Sequence, residues 1–148
     1  MTMRTAAGVA ALLLAASMLA ACTPPPQPDP TASPDTADPT ELCAQFGDVD
    51  TIILNAGSAL RDGRVQEQEY RGWLRLAARA LSRIPVDVST SVGAAIANAQ
   101  DVAPATPIGV VGEAWDPLST EWGNASFAVR AACEAEGTPV VGEAFTGG

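Results

Sequence analysis

Apolar residues recur every three or four positions through four stretches of this chain, and each stretch runs into glycine or proline. That spacing is the helical period, so it restricts the folded part to helices that each bury one stripe. In the first stretch Leu42, Phe46, Val49, Ile53, Ala56 and Leu60 form the stripe. Thr40 after Pro39 is a fair N-cap there, and Arg61-Asp62-Gly63-Arg64 is the closing turn. The second runs from about Val65 to Arg83, with Tyr70, Trp73, Leu74, Ala77, Leu81 and Ile84 apolar and Pro85 as its stop. The third runs from about Asp87 to Val102, with Val88, Val92, Ile96, Ala99 and Val102 inward and Pro104 and Pro107 beyond its end. The fourth carries Trp115, Leu118, Trp122, Ala125, Val129 and Ala132 on one face, opens on an Asp116-Pro117 cap pair and closes at Gly137. Only short valine-rich pieces at 108–111 and 139–141 read as strand-like. The pattern predicts an all-α fold, a small four-helix up-down bundle over 41–137, with a C-terminal tail at 138–148.

Composition limits the chemistry. The sequence has no His and no Lys among its 148 residues, and all eight cations are arginine. Histidine triads, histidine–metal sites and lysine Schiff bases are therefore excluded, and no cofactor is indicated. A net charge of −9 argues against a nucleic-acid partner. Asp48 and Asp50 are two apart, so a helix points them away from each other rather than at one metal ion. No nucleophile–base pair stands out, and the chain reads as a non-enzyme.

The N-terminal segment has its own logic. Arg4 is the only charge before Asp29, and an apolar run from Ala6 to Ala21 follows it. That run is short of the ~20 residues a spanning helix needs and fits a signal-peptide core. It ends Leu19-Ala20-Ala21-Cys22. A leucine three positions before a cysteine, then two small residues, forms a lipobox, in which the cysteine thiol takes a diacylglycerol and a peptidase cuts just before it.

In that lipobox, in the Pro/Thr-rich stretch behind it and in the general style of its helical part, the chain resembles bacterial cell-envelope lipoproteins of an actinobacterial type. The resemblance implies a signal peptide at 1–21, a lipidated Cys22, and a membrane-anchored protein facing outward. It implies no reaction. Residues 23–40 hold seven prolines and nothing suited to a core. They read as a disordered, polyproline-like linker, which at ~3.1 Å per residue holds the domain up to about 50 Å from the bilayer. Thr23, Thr31, Ser33, Thr36 and Thr40 beside these prolines suit either O-linked sugars or a plain spacer.

With Cys22 carrying lipid, Cys43 and Cys133 remain. An exported protein with two such cysteines pairs them. Cys43 lies near the start of the first helix and Cys133 near the end of the fourth. In an up-down bundle with an even number of helices those ends share a side, so the bridge suits four helices and not three. Closing so long a loop is worth roughly 4–5 kcal/mol on the chain-entropy account.

Arg71, Arg75, Arg79 and Arg83 recur every four residues, opposite Tyr70, Ala77 and Leu81 on the helical wheel. Six of the seven arginines after Cys22 fall between 61 and 83. This face is expected to be solvent-exposed. It reads either as a solvated face partly paired with acids, or as a docking face for an anionic lipid, a cell-wall polymer or an acidic protein. Phe127 falls off the fourth stripe, as an exposed contact or as a residue covered by the tail. Val110-Val111-Gly112-Glu113-Ala114-Trp115 nearly recurs as Val140-Val141-Gly142-Glu143-Ala144-Phe145, either by chance or as paired strands or similar groove-filling segments. Two functions compete. One is a structural or partner-binding module, and the other is a small-ligand or lipid carrier with a cavity inside the bundle.

Overall fold

A computed structural model describes residues 38–106 and 114–145. The expected signal peptide, Cys22 and most of the expected linker lie outside the described residues. Among the described residues there are four helices and no strand: α1 (Pro39–Arg61), α2 (Glu67–Leu81), α3 (Ser91–Val102) and α4 (Thr120–Ala135). The fold is the all-α up-down bundle that the periodicity predicts.

Helix ends differ from expectation wherever two capping groups compete. Asp38 caps α1 by accepting the Thr40 amide at 2.9 Å, which leaves Pro39 in the first turn and Thr40 inside the helix. An aspartate just before a proline outcompetes a threonine just after it, because proline fits the first helical position with its φ already set. At the other end of α1, Gly63 takes φ +69° and turns the chain into α2.

The start of α3 is later than the periodicity indicates. The Asp87 carboxylate accepts both the amide and the hydroxyl of Ser89, which builds a turn and holds that carboxyl below its ordinary pKa. Thr90 then caps α3 at Gly93. Val88, expected inward, is left in the turn and exposed. The same thing happens before α4. Asp116 accepts the Leu118 amide in a turn of its own, and Ser119 takes the cap by accepting the Trp122 amide. Leu118 is therefore exposed rather than inward. Trp115 precedes the helix, yet keeps its packing on Trp122, with ring centroids 4.3 Å apart.

α1 packs on α2 and α3 on α4 as two hairpins, and α1 also meets α3 and α4. Leu42, Phe46 and Val49 of α1 meet Ala77 and Leu81 of α2, Val92, Ile96 and Ala99 of α3, and Trp122, Ala125 and Val129 of α4 in one core. Trp73, assigned by the pattern to the buried stripe, sits at its edge and is 43% exposed. The Cys43–Cys133 disulfide forms as expected, with Cα atoms 5.8 Å apart and both residues buried. It ties the start of α1 to the end of α4. Beyond α4, Gly137 (φ +76°) redirects the chain, and residues 139–145 run without regular structure along α1.

Candidate functional site: a groove between α1, α2 and the C-terminal segment

Thr51 and Asn55 lie one turn apart on α1 and so share a face. Asn55 Nδ2 donates to the carbonyl of Glu143 at 2.7 Å, and its Oδ1 accepts the amide of Phe145 at 2.7 Å. Thr51 Oγ1 accepts the amide of Glu143 at 3.0 Å. An asparagine side chain has the donor and acceptor of a peptide group, so this pair of residues reads the C-terminal segment through its main chain. Two glycines allow the close approach. A Cβ on Gly47 would lie 2.8 Å from the Val141 carbonyl oxygen, and one on Gly142 would lie 2.9 Å from Leu54 Cδ1.

The segment leaves a half-open groove of about 350 Å³ between itself, α1 and the start of α2. Ile52, Ala56, Ala59, Val65, Trp73 and Phe145 supply its apolar wall, and Arg64 and Glu69 are its charged lining residues. Trp73 is 43% exposed and Phe145 62%. Two aromatic rings at one apolar cleft, both open to water, are what a binding site leaves uncovered. Arg64 is paired with Asp62 at 3.2 Å. The cleft lies on the outer side of the α1–α2 hairpin rather than inside the bundle.

Next to the segment, Asp50 is buried and accepts a hydrogen bond from Arg130 Nη2 on α4. Burial pushes the Asp50 carboxyl above its ordinary pKa, and the Arg130 charge and hydrogen bond pull it back only in part. The sequence holds little sign of this pair, whose members lie 80 residues apart. The one available clue is Asp50 beside Val49 at the edge of the α1 stripe. Arg130 is also the only arginine after Arg83.

The arginine face is only half as exposed as expected. Arg71 and Arg83 are exposed, whereas Arg75 and Arg79 are half-buried. Long arginine stems cover helix surface while their heads stay wet. Arg71 Nε donates to Glu67 at 3.0 Å, and Arg75 also has an interaction partner. Arg83 lies in the turn after α2 rather than on the helix. Phe127 is 71% exposed, and the tail bonds to α1 instead of covering it. The first copy of the near-repeat lies mostly outside the described residues. Its Trp115 indole donates to the Leu74 carbonyl at 3.3 Å. The second copy is the segment seated on α1.

Among the described residues no group of three His, Cys, Asp or Glu is placed to hold a metal ion, and no helix is long and apolar enough to cross a membrane. Compared with family models, curated proteins and solved structures, the chain matches none.

Proposed function

We propose that this chain is an envelope lipoprotein whose helical domain binds a protein partner and performs no chemistry of its own. The lipobox directs cleavage before Cys22, and the diacylglycerol on that residue anchors the protein to the outward face of the membrane. The proline-rich linker sets the reach of the domain, and the disulfide keeps it folded outside the cell. The observation that carries the binding role is the half-open apolar groove with Trp73 and Phe145 uncovered at it. Apolar clefts bearing exposed aromatics are characteristic of interaction sites. The exposed Arg83 adds positive charge that favours an anionic surface or an acidic partner, whereas Arg71 is partly neutralised by Glu67.

The groove volume also favours a second reading, a carrier of a small apolar ligand, because about 350 Å³ lies within the range of small-ligand pockets. A photo-crosslinking residue at position 73 in intact cells separates the two. The partner reading expects a discrete protein adduct. A lipid adduct would favour the carrier, and no adduct at all would contradict both.

A further inference from the structure

The C-terminal segment is held in an unusual way for part of a fold. All three hydrogen bonds that Asn55 and Thr51 make to it go to its main chain, at Glu143 and Phe145, two alternate residues. Val140 packs partly buried against the core, but beyond it the large apolar side chains contribute little, since Val141 is 69% exposed and Phe145 62%. Phe145 forms one wall of the groove without filling it. At Gly142 the seat restricts the side chain closely, since a Cβ there would lie 2.9 Å from Leu54 Cδ1. Main-chain bonds to a segment, with space beside it for a side chain, are the means by which proteins bind extended peptides.

Deepening the partner-binding reading, on which this rests, we propose that the Thr51–Asn55 face of α1 is a docking site for an extended peptide segment of a partner protein. That segment has glycine at one position and a large apolar side chain three residues later. Residues 141–145 are a resident stand-in that the partner displaces. The resident occupant is itself an extended peptide on main-chain bonds, and space remains beside its aromatic ring for a larger side chain. The sequence supplies a probe with this pattern, Val-Val-Gly-Glu-Ala-Trp, as found at 110–115.

The test titrates that hexapeptide, as a capped synthetic peptide, into the full-length chain in detergent and follows the backbone amides by NMR. Saturable shifts are expected at Thr51, Asn55 and Trp73, with the Glu143 and Phe145 amides moving to a released state. Asn55→Ala should weaken binding at least tenfold. Gly47→Val leaves the polar reader intact but sets a side chain against the position of the peptide carbonyl, and it should weaken binding equally. A hexapeptide with valine in place of its glycine should not bind. In the unliganded wild type, the Phe145 amide should exchange with solvent faster than the core amide of Val49.

Absence of saturable binding at millimolar peptide would overturn the proposal. So would binding unchanged by both substitutions, or Phe145 exchange as slow as that of Val49, which is measurable even where a variant fails to fold. Exchange of the tail between two copies of the chain, seen as a concentration-dependent dimer, would overturn it in favour of self-association. If the peptide fails while position 73 still captures a protein in cells, this docking mode is wrong and the partner-binding reading stands. If the peptide binds and nothing is captured, the site is real and that reading of its function fails.

Discussion

Asp50 and Arg130 show how much one residue pair decides. The Asp50 carboxyl is raised above its ordinary value of 3.8, so the folded chain holds that proton to higher pH than the unfolded chain does. The carboxyl's contribution to stability is therefore full below about pH 3.8 and falls as pH rises through the raised folded value. Arg130 offsets that loss. Replacing Arg130 with Met removes the offset and leaves a buried carboxylate alone. This should cost about 2 kcal/mol at pH 7, at the lower end for a broken buried pair because the arginine is itself partly exposed. Near pH 4 the cost should be smaller, because a larger share of the raised carboxyl is protonated there. Urea unfolding of both chains at the two pH values checks this, and an equal loss at both would show that the Asp50 charge does not set the cost. Two glycines make a second comparison at this scale. A Cβ on Gly93 would fall 2.1 Å from the Asp87 carbonyl oxygen, while one on Gly123 meets nothing within 4 Å. Gly93→Ala should cost on the order of 2 kcal/mol by forcing the 87–90 turn aside. Gly123→Ala should add about 0.5–1 kcal/mol of helix propensity. Thermal melts of the two variants should move in opposite directions.

At the scale of elements, the four helices were legible because their stripes repeat over several turns, and the bridge between Cys43 and Cys133 was legible because only an even number of helices brings those ends together. What the sequence did not carry were choices between near-equal local options. Asp38 against Thr40, and Ser119 against Asp116, are contests between capping groups a few residues apart, and adjacent proline and serine residues settle them. The misplaced residues follow from those contests: Val88 and Leu118 are exposed because their helices begin later. The groove was hidden for a different reason. Its frame is the C-terminal segment on Thr51 and Asn55, held through main-chain bonds that any sequence offers, so neither periodicity nor composition marks it. The disulfide gives the prediction at this scale. With both cysteines buried and joined, the oxidised chain from Thr23 on should show no free thiol. Cys43→Ser with Cys133→Ser should lose roughly 4–5 kcal/mol, read from denaturant midpoints. Two titratable thiols in the folded wild type would contradict the bridge.

On the proposed reading the whole molecule combines an anchor, a linker and a stapled domain with an open groove, and each part has a separate test. Cys22→Ser should leave the chain as an unprocessed precursor or release it from the membrane fraction, and normal-sized protein still in that fraction would contradict the anchor. We propose that the groove, rather than any exposed apolar residue, meets the partner. Phe127 is the natural control, since it is more exposed than Trp73 but lies on α4, away from the groove. The most direct measurement places the same photo-crosslinking residue at position 73 or at position 127 in intact cells and compares the protein adducts by mass spectrometry. A discrete protein should be captured from position 73 and not from position 127. Equal capture from both positions, or capture from position 127 alone, would contradict it.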